Sequence, residues 1–233
     1  MSIENPEAIE KINSFVIFDI MEKTKKKNRY LYAKRFLDIM VSIVGIIVLI
    51  PLTIGIYIAN KFVNDSGPIF YIQKRIGKNG KTFKMYKFRS MVENADQKLK
   101  RHLLDNPEAN EEFKKYRKLK NDPRITKVGN FLRKTSLDEF PQFINVLKGD
   151  MSLVGPRPYL PREKRIMKKY YKVIIKAKPG LTGPWQVNGR SKTPIEERML
   201  MDVMYVQNEN FVNDTKYVLK TIENIIKRDK GAM

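Results

Sequence analysis

The sequence predicts a helix-rich α+β protein: a hydrophobic segment interrupted by Pro51, which either crosses a membrane as a kinked helix or enters and returns as a helix–break–helix hairpin, followed by a globular domain with a small β-hairpin and amphipathic interface helices. Three observations carry this. One apolar run, "IMVSIVGIIVLIPLTIGIYIA", holds no charge over residues 39–59 and is interrupted by Pro51. A pair of short β-branched and aromatic runs flanks Asn79-Gly80. Amphipathic helical patterns fill most of the remainder.

The apolar run comes first. Its 21 residues would make roughly 31 Å of helix, about one hydrocarbon thickness, so length alone describes a spanning helix. Pro51 removes a backbone donor and disfavours the α conformation at Ile50, leaving 12 residues before it and 8 after, each too short to cross. Both flanks are basic, with Lys23, Lys25–Lys27, Arg29, Lys34 and Arg35 before the run and Lys61, Lys74, Arg75, Lys78, Lys81, Lys84, Lys87 and Arg89 after it. Basic flanks favour the cytoplasmic side, and a hairpin satisfies both flanks whereas a span satisfies one. From residues alone, a kinked span and a hairpin both stand. Asp38, three residues after Arg35, is expected to pair with it at the mouth of the run.

The 233 residues carry a net charge of +21, which points to an anionic partner: nucleic acid, anionic lipid or a phosphorylated substrate. With no cysteine, disulfides, thiolate metal sites and thiol catalysis are excluded, and with one histidine, His102, Ser-His schemes have almost nothing to work with. Acid–base chemistry must then come from carboxylates, Lys or Tyr. The first 30 residues are mixed and charged, unlike a signal peptide.

Further along, Gly67–Met91 reads as a β-hairpin closed at Lys78-Asn79-Gly80, with Lys and Arg alternating with aromatic residues. Residues 93–120 read as a polar helical insert broken near Asn106-Pro107. A short helix is expected over 125–134 and an amphipathic one over 137–147, where Ser136 and Glu139 have the spacing of a capping box. Gly155, Pro156 and Pro158 force an extended loop carrying Arg157. A basic helix is expected over 162–178, then a Gly/Pro-punctuated loop with the single tryptophan, Trp185, and two final helices over 195–208 and 214–227.

Asp138-Glu139 admits three readings: a helix cap, a divalent metal site, or a nucleophilic carboxylate. Arg133 lies five residues before Asp138 and Arg157 nineteen after, while Lys87 and Arg89 come from the hairpin. Guanidinium groups suit phosphate. Carboxylates, a metal and cations beside a membrane make up the parts for moving a phosphoryl group.

In order along the chain, "KRFLDIMVS" with Pro51 downstream, "GPIFYIQKRIGKNGKTFKMYKFRSM", "DPRITKVGNFLRKTSLDEFPQFINVLKGDMSLVGPRP", "KPGLTGPWQVNGRS" and the pair Asp202 and Tyr205 resemble the bacterial sugar transferases. These are monotopic phosphoglycosyl transferases that move a sugar 1-phosphate from a nucleotide diphosphate sugar to polyprenyl phosphate. The resemblance runs from about Lys34 to Met233. It implies a 1–33 extension, a re-entrant hairpin over 34–60 with both ends cytoplasmic, and a cytosolic catalytic domain over 61–233 at the bacterial inner membrane. It implies that Asp138 is the nucleophile, forming an aspartyl phosphosugar and releasing UMP. Glu139 would assist as base or metal ligand, and Mg²⁺ held by Asp138 and Glu139 would be the cofactor. Arg133 and Arg157 match phosphate-holding positions, to which Lys87 and Arg89 are added from the hairpin.

The implied partners are a UDP-sugar, polyprenyl (undecaprenyl) phosphate and the membrane, with no nucleic acid and with a homo-oligomer left open. The implied role is the first membrane step of exopolysaccharide, capsule or glycoconjugate synthesis. The sequence departs from many small members in having Ile50-Pro51 where they have Ser-Pro, and it reads as a short form beside larger members with extra spanning helices. The rival reading is a membrane-anchored basic protein that binds anionic lipid or nucleic acid without catalysis; a second rival transfers within a ternary complex, with no covalent step.

Overall fold

A computed structural model describes residues 28–116, 119–188 and 194–227. In chain order the elements are helix α1 (Asn28–Phe62), strands β1 (Phe70–Ile76) and β2 (Thr82–Phe88), and helices α2 (Ala95–Asp105), α3 (Pro107–Tyr116), α4 (Lys127–Thr135) and α5 (Gln142–Lys148). Strand β3 (Ser152–Val154) follows, then short helices α6 (Lys164–Met167) and α7 (Tyr171–Ile174), strand β4 (Gly180–Thr182), short helix α8 (Pro184–Val187), and helices α9 (Ile195–Gln207) and α10 (Phe211–Ile226).

Helix α1 contains the apolar run and, among the described residues, is the one helix long and apolar enough to cross a membrane. It is a single element: the backbone stays helical through Pro51 rather than dividing into two helices there. Pro51 is exposed, and two residues on Thr53 Oγ1 donates to the Leu49 carbonyl at 2.7 Å, a side-chain bond that accommodates local loosening of a helix.

What distinguishes the two sides of α1 is burial. Asp38, Ser42, Gly45, Leu49, Ile56 and Asn60 recur at three-, four- or seven-residue intervals and are buried. The opposite side leaves Val44, Ile47, Ile50, Ile54 and Ile58 exposed. The domain therefore lies along the helix on both sides of Pro51. Toward the N-terminus, Arg35 donates to the Val146 and Leu147 carbonyls at 2.7 and 2.8 Å, capping the last turn of α5. Asp38 accepts from Leu153 N at 2.9 Å and Ser152 Oγ at 3.1 Å. The expected Arg35–Asp38 pair is thus replaced by four bonds to the domain, two for each side chain, because each meets a backbone group that burial would otherwise orphan. Midway, the Phe143 ring sits against Gly45. Beyond Pro51, Leu52 and Ile56 pack with Phe88, Leu132 and Phe140.

The hairpin forms as its turn chemistry dictates. Asn79 and Gly80 both take positive φ, 57° and 77°, and β1 pairs antiparallel with β2 so that Phe70 faces Phe88 and Gln73 faces Met85. Asn145 of α5 binds the free edge of β2, accepting from Tyr86 N at 3.0 Å and donating to Lys84 O at 2.7 Å. That amide fixes α5, and with it the preceding turn, against the hairpin.

Three local expectations change. Residues 137–148 are not one helix: Pro141 lacks a donor and separates a 3₁₀ turn, Leu137–Glu139, from α5. The capping box does not form, because Ser136 adopts φ 58° as the C-cap of α4 and its side chain makes no cap bond. The N-cap of α4 is Thr126, which accepts from Gly129 N at 2.9 Å. Residues 162–178 hold not one basic helix but short pieces, α6 and α7, broken at Lys168 with φ 42°. The Gly/Pro loop contains β4, which pairs in parallel with β3, Ser152 beside Gly180 and Val154 beside Thr182. A second core gathers Ile76, Val154, Tyr159, Met167, Met199 and Val203 under this half of the domain.

Candidate active site

Asp138 and Glu139 lie on the 3₁₀ turn between α4 and α5. Their neighbours Leu137 and Phe140 pack into the cluster that contains Leu49 and Ile56 of α1, so the acidic pair is anchored beside the long apolar helix. Lys87 of β2 reaches Glu139, Nζ to Oε1 at 2.6 Å. Burial pushes the Asp138 carboxyl up to about 6, and the neighbouring Glu139 adds to the shift, while Lys87 and Arg133 pull it back. Two adjacent acids thus share one site with two cations.

Arg133, in the last turn of α4, donates from Nε to Ser90 Oγ at 2.9 Å. Ser90 is held in turn by the close passage of α4: a Cβ on Gly129 would collide with the Ser90 backbone, so only glycine permits the approach. Strand end, helix and Arg133 are therefore set by one contact.

Arg157 sits on the Pro156–Pro158 loop. Its guanidinium lies 4.9 Å from the Trp185 ring centre and 6.0 Å from that of Tyr159, and its Nη2 is 3.9 Å from Glu163 Oε1. Beneath the loop, Asp202 is fully buried; it accepts from Tyr159 OH at 2.8 Å and from Arg157 N at 3.2 Å. Burial pushes the Asp202 carboxyl up to about 7, against the pull of those two bonds and of Arg157.

Of the residues singled out from sequence, Asp138, Glu139, Lys87 and Arg133 come together. Arg157 belongs to a neighbouring group. Arg89 is engaged elsewhere: it donates to Asp65 Oδ1 at 2.6 Å, Pro68 O at 2.6 Å and Met91 O at 3.2 Å, closing the link between α1 and β1. The residue that sequence reading passed over is Arg75. It is buried, donates to the Pro158 carbonyl at 2.8 Å and to Gln73, and feels the charges of Arg157, Glu163 and Glu139. Its signal was phase: adjacent Lys74 and Arg75 point to opposite faces of a strand, so one of them must meet the domain.

Among the described residues, no three acidic or histidine side chains gather as a metal cage. Asp138 and Glu139 supply two hard oxygen donors, which suits a cation such as Mg²⁺ that completes its shell with water and substrate phosphates.

Residues 29–228 match the family model described as bacterial sugar transferase. The chain belongs to that family. It is 47% identical over 205 residues to an undecaprenyl-phosphate galactose phosphotransferase of Salmonella typhimurium, covering 88% of this chain and 42% of that protein. It is 44% identical over 190 residues to the exopolysaccharide production protein ExoY of Sinorhizobium fredii, covering 82% of this chain and 84% of that protein. A UDP-glucose:undecaprenyl-phosphate glucose-1-phosphate transferase of Escherichia coli is 38% identical over 197 residues, covering 81% of this chain and 39% of that protein. The chain thus spans about two fifths of the first and third of these relatives and most of the second.

Proposed function

We propose that this protein transfers a sugar 1-phosphate from a UDP-sugar to undecaprenyl phosphate through a covalent intermediate on Asp138, as the first membrane step in building an exopolysaccharide, capsule or glycoconjugate. The observation that carries this is the placement of a half-buried Asp138, beside Glu139 and the Lys87 ion pair, on a turn packed against the apolar helix.

In the first step a carboxylate oxygen of Asp138 attacks the sugar-bearing phosphorus of the donor. An acyl phosphate bond forms, the diphosphate P–O bond breaks, and UMP departs. In the second step a phosphate oxygen of the lipid attacks that same phosphorus, forming a diphosphate-linked sugar and returning the Asp138 carboxylate. Splitting the transfer in two lets a water-borne donor and a lipid acceptor use one nucleophile in turn. Lys87, Arg133 and Arg157 balance the phosphate charge, and Lys87 holds Glu139 beside the nucleophile. Mg²⁺, held by Asp138 and Glu139, would neutralise the phosphate oxygens when bound.

Helix α1 is read as monotopic, dipping into the inner membrane with both ends on the cytoplasmic side. The domain covers its buried stripe on both sides of Pro51, and a perpendicular span would drag that domain into hydrocarbon.

The test is the protein with UDP-galactose or UDP-glucose alone, followed by mass spectrometry and assay of released UMP. The expected result is a phosphosugar adduct on Asp138 that is absent from Asp138→Asn. Full transfer by Asp138→Asn, or transfer with no adduct under any donor, would remove the covalent reading.

A further inference from the structure

The cations around the acidic pair fall into two groups. Lys87 and Arg133 act on Asp138 and stand on elements packed against α1. The second group surrounds Trp185, on the side of the C-terminal core. Arg157 lies 4.9 Å and Arg198 5.3 Å from the Trp185 ring centre, within each other's electrostatic reach. Arg75 approaches from β1 and joins them through the Pro158 carbonyl.

Arg75 is the informative member. It is 9% exposed, two of its nitrogens are bonded, and its Nε is buried with no partner. A buried guanidinium is expensive to hold charged, and a neighbouring Arg157 makes it more so; burial and that repulsion lower Arg75 to about 10. Glu163 stands 3.9 Å from the Arg157 guanidinium and also accepts from Leu160 N at 2.6 Å. Guanidinium groups crowded in this way, one of them with an orphaned donor, are set up to receive a multiply charged anion with several acceptor oxygens. Arg75 also feels the charge of Glu139, which links this group to the acidic pair.

We propose that Arg75, Arg157 and Arg198, the last two oriented by Trp185, form the site for the diphosphate of the nucleotide donor, distinct from the Lys87 and Arg133 group beside α1. This rests on the UDP-sugar reaction proposed above. Trp185 and Asp202 are positioning residues in it: the ring orients two guanidinium groups, and the buried carboxylate holds the Arg157 backbone.

The experiment is calorimetric titration of the lipid-embedded protein with UDP, UMP and uridine, magnesium present. The unmodified protein is expected to bind UDP more tightly than UMP, and UMP more tightly than uridine. Arg198→Gln, at a partly exposed position, and Arg75→Gln are each expected to weaken UDP binding about tenfold or more and to leave uridine binding unchanged. Arg75→Lys is expected to restore only part of the loss, since an ammonium lacks the fork. A melting temperature within a few degrees of the unmodified protein shows that the variants are folded. UDP binding by Arg198→Gln within about twofold of the unmodified protein overturns the proposal, as does equal affinity for UDP and uridine. Failure of the covalent reading is separate: it shows in Asp138→Asn, whose titration with UDP does not depend on the adduct.

Discussion

Lys87 Nζ lies 2.6 Å from Glu139 Oε1, across 52 residues of chain. This ion pair joins the hairpin to the turn that bears Asp138. Lys87 also opposes the burial that raises the Asp138 carboxyl. Lys87→Met is therefore expected to leave more Asp138 protonated and to remove the Lys87–Glu139 ion pair. Single-turnover UMP release from UDP-sugar should fall about tenfold to a hundredfold, with partial recovery in Lys87→Arg. An unchanged rate would place Lys87 outside the chemistry.

Arg89 behaves differently. Its three bonds run to Asp65, Pro68 and Met91, and its side chain is 8% exposed. Arg89→Ala is expected to lower stability by about 2 kcal/mol, measured by urea denaturation in detergent, because it strands Asp65 and two carbonyls. The KM for donor should hold. Arg89→Lys should not rescue stability, since a single ammonium cannot serve three acceptors in different directions.

Asp202 gives a pH dependence. Burial raises its carboxyl to about 7 from an ordinary 3.8, so between these values the folded chain keeps a proton that the unfolded chain releases. The unfolded state then binds fewer protons, and stability falls as pH rises from about 4 to 7. Asp202→Asn cannot titrate, so its melting temperature should vary less across that window. An identical pH profile in both proteins would mean that Asp202 is ionised when folded.

The topology of α1 is open to direct labelling, because the chain contains no cysteine. Tyr32→Cys, at a position 77% exposed, and Asn64→Cys lie at opposite ends of the helix. A membrane-impermeant maleimide should label both from the cytoplasmic side and neither from the other. Labelling from opposite sides would make α1 a span.

Much of this was legible in the sequence where local chemistry decides the outcome. Asn79-Gly80 announced the hairpin turn, and the acidic pair stood out beside Arg133 and Arg157. Where the sequence misled, a distant partner had intervened. Glu139 has the spacing of a cap residue, but Lys87 claims it from another element. Arg35 and Asp38 have the spacing of a pair, but α5 and β3 offer each a backbone partner. Arg89 and Arg75 look alike as hairpin cations, and only tertiary packing gives one a structural post beside Asp65 and the other a place under the Arg157 loop.

Near the start of α1, Tyr30 OH donates to Asp214 Oδ2 at 2.7 Å from 184 residues away; Lys34 pairs with the same carboxylate, and Tyr205 donates to its other oxygen at 2.7 Å. During synthesis the anchor leaves the ribosome long before α10 exists. Asp214 therefore arrives last of these partners, as a clasp closing on a helix made long before it. A nascent chain stalled before α10 should have its anchor in place yet unfastened, and truncations in that region should reveal themselves as proteolytic sensitivity around residue 30 rather than as loss of membrane attachment.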